Sequence, residues 1–414
     1  MDTSGVMVFV ESNTTGTGRH YCRAARSRGL RPVLLARVPS RYPYLDQDGI
    51  ESLVLDTSDV ETVVGACRHL GSVTGITSSS EYFVPVAARA ALRMGLAGPD
   101  PVAVERARHK GLQREALLAA GVPVPDFRVI RTAAEATSVA TELGCPVVVK
   151  PVRGSGSVGV RLCRTNREVV EHATRLLATR VNERGLPVEP EVLVERFVDG
   201  PEFSAEFFDG APVGLTAKHL GPPPHFVETG HDFPAELEPE AVAALTECAR
   251  AASQALGLTW GATHTELRLS QDGPMIIEIN PRLAGGLIPE LVRAALGIDL
   301  VDCVIARASG DLPKLRPLRD EHAAIRFLLA PGEGRVAAID GVERASRAPA
   351  VRAINIGVAV GDQVTVTGSF TDRVGSVVTT ASTGSEAARR ADAALGHLTV
   401  RLADQSGNGV AGSD

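Results

Sequence analysis

Short apolar runs alternate with helical stretches through the first hundred residues. The segments at 19–28 and 59–70 predict helices, and buried strands are predicted at 6–10, 31–36, 52–55 and 73–77. Strands that alternate with helices through short links are typical of a parallel sheet covered by helices on both faces. Glycine and prolines at 96–101 then interrupt the pattern. We therefore predict an N-terminal α/β domain over residues 1–101.

After residue 101, helices and strands no longer alternate one by one. Helices are predicted at 102–120, 133–143, 167–184, 239–256 and 288–296; strands are predicted at 126–130, 146–151, 160–163, 192–197, 202–208 and 214–219, followed by a hairpin of 263–269 with 275–279. From residue 323 onward, short strands with glycine turns precede one helix at 385–395. The predicted fold class is α/β with α+β lobes. A two-lobed domain covers 102–310, a small β-rich region covers 311–405, and a disordered tail covers 406–414.

Charge and composition narrow the classes of partner. The chain has 414 residues, 44% of them hydrophobic, and a net charge of −6 without a long basic run, which argues against nucleic acid. A basic leader segment and an apolar stretch of about 18 residues are both missing, so neither a signal peptide nor a membrane span is expected. The six cysteines share no C-x-x-C spacing and are expected as free thiols. We expect a cytoplasmic protein.

A hairpin motif in the middle domain combines three oxygen donors. The Asp272-Gly273 turn sets Glu266 opposite Glu278, and side-chain alternation puts Asn280 on the same face as Glu278. Two carboxylates directly opposite each other destabilise a sheet, and a hard cation removes that cost. An all-oxygen donor set suits Mg²⁺. The alternative is a solvated edge with carboxylates that meet by chance.

An arginine and two glycines follow this hairpin. Pro281 fixes the backbone, so Arg282 cannot simply continue the strand. An arginine there can hold a phosphate or a developing oxyanion, and Gly285 and Gly286 let backbone N–H groups approach a ligand. The alternative is a surface arginine in a loop.

A glycine-rich loop follows an apolar strand that ends in Lys150. The loop contains Gly154, Gly156 and Gly159 in a G-x-G-x-x-G spacing, but residues 160–163 predict a strand, whereas a dinucleotide fingerprint must open a helix. A Walker A sequence is absent, and the protein-kinase order of glycine loop before lysine is reversed. The loop therefore predicts a flexible hairpin that can fold over a triphosphate, and a buried Lys150 predicts an anion nearby.

A strand, a turn and a second strand occupy residues 192–202. An apolar strand that ends in a bend between two halves of a domain can offer backbone groups to a purine. A carboxylate a few residues later can accept hydrogen bonds from ribose hydroxyls. On its own this pattern is an ordinary strand-turn-strand.

Residues 102–309 contain, in this order, the strand that ends in a lysine, the glycine loop, the hinge strand with Glu195, and Glu266 with Glu278-x-Asn280-Pro-Arg. This order of motifs resembles that of the ATP-grasp superfamily. The segments Gly332-Glu333-Gly334 and Gly361-Asp362 resemble the tail of the L-amino acid ligases, more loosely. The resemblance implies a two-lobed ATP-grasp domain at 102–310 that follows the usual α/β domain. It also implies ATP and two Mg²⁺ ions, with Mn²⁺ as a substitute.

The resemblance also implies roles for individual residues. It assigns phosphate contacts to Lys110, Lys150, Lys218 and the loop residues Gly154, Ser155, Gly156 and Ser157; adenine to backbone groups of Glu195, Arg196 and Val198; ribose to Glu202; and the metal ions to Glu266, Glu278 and Asn280. It assigns substrate binding to Glu228, His231, Arg282, Gly285 and Gly286, with Arg282, Lys218 and His231 as the catalytic groups. Glu228 would face an amino group from a loop stiffened by Pro222-Pro223-Pro224.

The implied activity is an ATP-dependent ligase that activates an amino acid carboxylate as an acyl phosphate and couples it to an amine, with release of ADP and phosphate. Amino acids are the expected partners, and a homodimer is a candidate assembly. Two alternatives stay open: a carboxylase of the same superfamily that uses bicarbonate, and an inactive ATP-binding regulatory module. Glu228 argues against the first, because bicarbonate needs no receptor for an amino group. The intact Glu278-x-Asn280 and Arg282 argue against the second.

Overall fold

The computed structural model describes residues 5–13 and 17–403. The tail predicted at 406–414 lies outside the described residues. Among the described residues, no helix is both long and apolar enough to cross a bilayer. All six cysteines are free thiols.

The N-terminal unit is a four-stranded parallel sheet with the order β3-β2-β1-β4. Its elements are β1 (Val6–Val10), α1 (Thr17–Ser27), β2 (Arg31–Ala36), α2 (Tyr44–Asp48), β3 (Glu51–Val54), α3 (Val60–Leu70), β4 (Val73–Thr77) and α4 (Val84–Arg93). Strands β1 and β2 are almost wholly buried, as their continuous apolar runs require in a sheet covered on both faces. The predicted parallel sheet is confirmed.

A smaller lobe follows, with an antiparallel sheet of the order β5-β8-β6-β7. Its elements are α5 (Pro101–Arg108), α6 (Lys110–Ala119), β5 (Phe127–Ile130), α7 (Ala133–Leu143), β6 (Val147–Pro151), β7 (Arg161–Cys163), α8 (Asn166–Leu177) and β8 (Val192–Arg196). The single helix predicted at 102–120 is wrong, because His109 adopts an extended conformation and caps α6 through its side chain. The Lys110 N–H then donates to the carbonyl of Val152 at 2.8 Å. The helix predicted at 167–184 ends earlier, at Leu177.

The large sheet has eight strands in the order β13-β12-β9-β10-β11-β14-β18-β16. The chain segment that forms its first five strands also contains three helices. In chain order, the elements are β9 (Glu202–Phe208), β10 (Ala211–Leu220), β11 (Glu228–Phe233), α9 (Pro239–Leu256), β12 (Ala262–Ser270), β13 (Gly273–Asn280), α10 (Ile288–Leu296) and α11 (Leu300–Ala308). Strand β11 corrects the prediction that Glu228 lies in a loop, because it pairs with β10 on one side and β14 on the other.

The remaining elements complete the large sheet and form a sheet of three strands, β17-β15-β19. They are β14 (His322–Leu329), β15 (Gly334–Asp340), α12 (Val342–Ser346), β16 (Val351–Ile356), β17 (Gln363–Val364), β18 (Arg373–Ala381), α13 (Gly384–Leu395) and β19 (Thr399–Leu402), and short 3₁₀ turns occur at Pro39–Arg41 and Phe370–Asp372. The large sheet thus continues across residue 310. The domain bounds 1–101, 102–310 and 311–405 stay predictions.

One apolar core ties the N-terminal unit to the large sheet. Phe9 and Leu34 of the parallel sheet share a buried cluster with Leu291 of α10, Val301 of α11 and Ile325 of β14. This packing fixes the ends of the parallel strands against the end of the β12–β13 hairpin, and the candidate site lies beside that junction.

Candidate active site

An open cleft separates the small lobe from the large sheet. Most of the predicted site residues line it: Lys110, Lys150, Gly154, Ser155, Gly156, Ser157, Glu195, Arg196, Val198, Glu202, Lys218, Glu228, Glu266, Glu278, Asn280 and Arg282. The cleft lining does not include the predicted residues His231, Gly285 and Gly286.

Lysine is scarce in this chain, and most of its lysines lie in the cleft. There are four lysines in the sequence, at positions 110, 150, 218 and 314, and the first three line the cleft. The Lys110 Nζ atom lies 3.1 Å from Glu278 Oε1 and donates to the carbonyl of Gly154 at 3.3 Å. An ammonium is a compact, strongly hydrated charge, whereas a guanidinium is broad and planar. The scarcity of lysine is a signal in the sequence that points to these three positions.

Lys218 is the centre of the charge cluster. Its ammonium lies 2.6 Å from Glu266, 3.0 Å from Glu202 and 3.0 Å from Glu228, and its side chain is 3% exposed. Burial works to lower the pKa of Lys218, but these carboxylates outweigh burial and hold that pKa well above its ordinary value. The same contacts hold the pKa of Glu228 well below its ordinary value despite burial. The cleft therefore contains ionised groups of both signs in close contact.

The hairpin has the predicted register. Glu266 pairs with Glu278 and His264 pairs with Asn280, and a β-bulge follows Glu266. The Asn280 amide lies within 3.3 Å of the Glu278 carboxylate. Burial would raise the pKa of Glu278, but Lys110 holds it below its ordinary value, so the carboxylate is ionised. Two carboxylates and an amide at one edge of the cleft fit a Mg²⁺ ion, because all three groups offer oxygen and the charge suits a divalent cation.

Glu81 holds Arg282 in place, and sequence reasoning missed it. Both Nε and Nη2 of Arg282 donate to Glu81 Oε2, the former at 3.0 Å, and Nη1 donates to the carbonyl of Leu283. Glu81 also pairs with Arg108, and both of these side chains are 4% exposed. Glu81 lies just after β4 in the N-terminal unit, 201 residues from Arg282. No local pattern singles it out, because the contact depends on how the two units pack.

The Glu195 side chain belongs to a buried ion network. It pairs with Lys150 and accepts from Arg114 at 3.0 Å, and the Arg114 side chain is fully buried. Burial would raise the pKa of Glu195, but these two cations hold it below its ordinary value. The network links α6 to β6 and β8 beneath the cleft. The sequence-based assignment concerned the backbone of Glu195, and that assignment stays a prediction.

Aromatic rings form one wall of the cleft. Phe197 and Phe226 stack with centroids 6.4 Å apart, and the Arg268 guanidinium lies over both rings, at 5.1 and 5.5 Å. Arg268 also donates to Glu202 at 3.2 Å, so the carboxylate predicted to meet a ribose is held by an arginine and by Lys218. Flat rings beside a polar carboxylate suit a purine nucleoside.

Glu228 lines the cleft, and His231 lies behind it, outside the lining. Glu228 lies 2.7 Å from Arg373, and its Oε2 lies 3.5 Å from Nε2 of the fully buried His231. A Cβ atom on Gly286 would lie 2.5 Å from His231 Nε2, so glycine is the residue that allows this close approach. Burial lowers the pKa of His231 and keeps its ring neutral. His231 thus stands behind Glu228, and Gly286 packs against it.

Residues 143–290 match the ATP-grasp domain family, and residues 326–403 match the family of L-amino acid ligase C-terminal domain 2. The chain belongs to the ATP-grasp family. This member is 40% identical to the Sinorhizobium fredii protein y4rH, whose function is uncharacterized, over 92% of this chain and 80% of that protein. It is also 29% identical to the alanine–anticapsin ligase of Bacillus subtilis, over 61% of this chain and 58% of the ligase.

Two solved structures share the fold of this chain. The L-amino acid ligase of Bacillus licheniformis superposes with a TM-score of 0.81 at 23% identity, over 97% of this chain and 99% of that one. N5-carboxyaminoimidazole ribonucleotide synthetase of Thermotoga maritima superposes with a TM-score of 0.70 at 19% identity, over 96% of this chain and all of that one. At these identities the likeness concerns the fold alone, and it confirms the predicted fold class.

Proposed function

We propose that this ATP-grasp ligase activates the carboxylate of an amino acid as an acyl phosphate and couples it to an amine. The observation that carries the proposal is the Lys218 contact with both Glu266 and Glu228, which joins the candidate metal site to a candidate receptor for a substrate ammonium. The similarity to alanine–anticapsin ligase and the match to an L-amino acid ligase C-terminal domain support the same class of reaction.

The nucleotide is proposed to lie along the aromatic wall with its phosphates toward the lysines. The backbone of residues 195–198 would meet adenine, Glu202 would meet the ribose, and residues 154–157 would cover the phosphates. Lys110 and Lys150 would contact the phosphates from the small lobe, and Lys218 would reach the terminal one from the large sheet. The ammonium groups now neutralise carboxylates, so they would exchange those partners for phosphate oxygens when the nucleotide binds.

We propose that two Mg²⁺ ions bind at Glu266, Glu278 and Asn280, and that Mn²⁺ can replace them. The bound metal ions would neutralise negative charge on the phosphates of ATP. When the Lys218 ammonium moves from Glu266 to the phosphates, a carboxylate oxygen of Glu266 would become free to bind a metal ion. The residues of the chain supply orientation and fixed charge.

The acid substrate is proposed to lie between Glu228 and Arg282. Glu228 would accept its ammonium group, in place of Lys218 and Arg373, and His231 would fix the Glu228 carboxylate from behind. A substrate carboxylate oxygen would attack the terminal phosphorus of ATP, which gives the acyl phosphate and ADP. An amine would then attack the acyl carbon, and phosphate would leave. Arg282 would stabilise the negative charge in both steps, so positioning and charge carry the catalysis without a nucleophilic side chain.

A carboxylase that activates bicarbonate is the second candidate, because the fold is shared with N5-carboxyaminoimidazole ribonucleotide synthetase. The position of Glu228 beside the buried His231 favours the ligase, since bicarbonate offers no ammonium group for Glu228 to bind. An inactive regulatory module is disfavoured by the complete set of cations and carboxylates in the cleft.

The test combines product analysis with a chemical trap. The purified protein, ATP, Mg²⁺ and single amino acids are incubated with hydroxylamine, which converts an acyl phosphate to a hydroxamate. We expect ADP, phosphate and a hydroxamate that depends on one group of amino acids. AMP and pyrophosphate as products would overturn the acyl-phosphate mechanism, and ADP release that needs only bicarbonate would favour the carboxylase.

A further inference from the structure

The C-terminal region reaches the cleft through the short turn at Phe370–Asp372. Phe370 lies in the lining of the cleft, and its backbone N–H donates to the carbonyl of Gly156 at 3.2 Å. Gly156 belongs to the glycine loop, which is proposed to cover the phosphates of the nucleotide. Ser157 of the same loop donates to the carbonyl of Phe226 at 3.1 Å. Two segments outside the small lobe therefore hold the loop.

Gly156 leaves room for the Phe370 ring. The φ angle of Gly156 is +64°, a conformation that residues with a side chain rarely adopt. A Cβ atom on Gly156 would overlap the ring of Phe370, so the ring lies where a side chain of the loop would otherwise project. The ring thus packs directly on the backbone of the loop, and its removal would leave the loop without this apolar contact.

Hydrogen bonds within the C-terminal region fix the turn that presents Phe370. The buried Asp372 carboxylate accepts a hydrogen bond from the Gly368 N–H at 2.8 Å. The Nε atom of Arg373 donates to the carbonyl of Phe370 at 3.3 Å, and the Arg373 guanidinium lies 6.0 Å from the centre of the Phe370 ring. The turn is therefore preorganised, so little conformational entropy is lost when its ring meets the loop.

We propose that Phe370 is a positioning residue that holds the glycine loop closed over the phosphates of the bound nucleotide. The consequence for chemistry rests on the proposed ligase function, because a closed loop keeps water from the acyl phosphate. A water molecule that entered would add to the acyl carbon. The bond from that carbon to the phosphate oxygen would break, a water proton would leave with the phosphate, and the free acid would form again.

Hydrogen exchange measures the loop independently of catalysis. Amide exchange of residues 154–160 is followed by mass spectrometry, with Mg²⁺ and the non-hydrolysable analogue adenylyl imidodiphosphate present. The proteins are the wild type, Phe370→Ala, Phe370→Tyr and the control Val366→Ala, which truncates an exposed residue of the same segment. We expect Phe370→Ala to raise the exchange rate about tenfold, since loss of a partly buried aromatic side chain shifts an opening equilibrium on that scale. Phe370→Tyr keeps the ring, so it should match the wild type, as should Val366→Ala.

Turnover shows whether the closed loop keeps water out. ATP consumption and hydroxamate formation are measured with hydroxylamine and the amino acid that gives most hydroxamate. The wild type should consume ATP and form hydroxamate in equal amounts, whereas Phe370→Ala should consume an excess of ATP and show a higher KM for ATP. A general loss of folded protein would lower both rates together and leave their ratio unchanged.

Gly156→Ala tests the contact itself. This change strains the backbone in either background, but the added methyl group meets the ring only when Phe370 is present. Its effect on the KM for ATP should therefore be smaller in Phe370→Ala than in the wild type, because residues in contact show non-additive effects.

Unchanged exchange of the loop in a folded Phe370→Ala variant would overturn the inference. A rise in the KM for ATP would then mean that Phe370 contacts the nucleotide rather than the loop. Equal ATP consumption and hydroxamate formation in Phe370→Ala would overturn the role in excluding water. Failure of the ligase proposal is distinguishable, because the wild type would then form no hydroxamate with any amino acid, while hydrogen exchange would still decide whether Phe370 holds the loop.

Discussion

Replacement of Lys218 by methionine tests whether this lysine holds the charge cluster together. Methionine keeps the length and the apolar stem of lysine but removes the ammonium. Glu202, Glu228 and Glu266, whose side chains are largely buried, would then lose their shared cation. The folded protein would contain buried carboxylates with fewer partners, so we expect Lys218→Met to unfold more easily.

The distances set the size of the effect. At an effective dielectric constant of about 20, a contact of 2.6 Å contributes roughly 6 kcal/mol of Coulomb attraction, and each contact of 3.0 Å contributes roughly 5.5 kcal/mol. Burial of the ions offsets most of this sum, since desolvation costs several kcal/mol per ion. Loss of one partner from a buried ion cluster typically lowers the free energy of unfolding by about 3–5 kcal/mol. We expect Lys218→Met to fall in that range at pH 8.

The loss should depend on pH. In the wild type the pKa of Glu228 lies well below its ordinary value of 4.5, so its contribution is complete above that pH and is lost only as the pH falls towards the folded-state pKa. In Lys218→Met the three carboxylates would lie close together without this cation, so we expect the folded protein to bind protons more tightly than the unfolded chain does. The difference in the free energy of unfolding should therefore be smaller at pH 5 than at pH 8.

The assay is urea unfolding at both pH values, followed by circular dichroism, with Lys314→Met as the matched control. Lys314 is exposed, so its substitution should change the free energy of unfolding by less than about 0.5 kcal/mol. Added Mg²⁺ should restore part of the lost stability of Lys218→Met, because the ion neutralises the same carboxylates. Equal stability of Lys218→Met and Lys314→Met at pH 8 would refute this reasoning.

Three further variants probe the hairpin, the N-terminal unit and an ion pair outside the cleft. Glu278→Gln should stay folded but lose most turnover, since it removes charge where the metal is proposed to bind; near-normal steady-state rates would show that the hairpin is not the metal site. Glu81→Gln should lower kcat by about tenfold while the KM for ATP is kept, because it loosens Arg282 without touching the nucleotide pocket; a change confined to KM would contradict that role. The hydrogen bond to Asp299 raises the pKa of His20 to about 9, so its stabilisation is complete below pH 6.5 and disappears as the pH rises through 9. The cost of His20→Gln in urea unfolding should therefore shrink over that window, and a constant cost would argue against the charged pair.

Local patterns in the sequence determined the parts of the fold that depend on neighbours along the chain. The hairpin register was predictable because a strand has a period of two and the Asp272-Gly273 turn fixes which residues face each other. The parallel sheet was predictable because strands buried on both faces read as continuous apolar runs. The glycine loop and the hairpin motif, taken together and in their order along the chain, are specific enough to indicate the ATP-grasp family.

The β11 strand could not be predicted in this way. Its sequence Glu-Thr-Gly-His-Asp-Phe has no apolar alternation, yet it lies inside the large sheet between β10 and β14. The Asp232 carboxylate is satisfied by a partner from another strand, because Arg326 of β14 donates to it at 2.6 Å. A strand whose burial depends on such partners reads as a loop when it is considered alone.

Only the tertiary structure decided which distant groups complete the site. Glu81 reaches Arg282 across 201 residues, and Arg373 reaches Glu228 across 145 residues. Periodicity and turn chemistry act over a few residues, whereas these contacts arise from the packing of separate sheets through a shared apolar core. The sequence thus determined the family, the order of the chemical motifs and the metal-site register, and packing decided how Arg282 is held and what lies beside it.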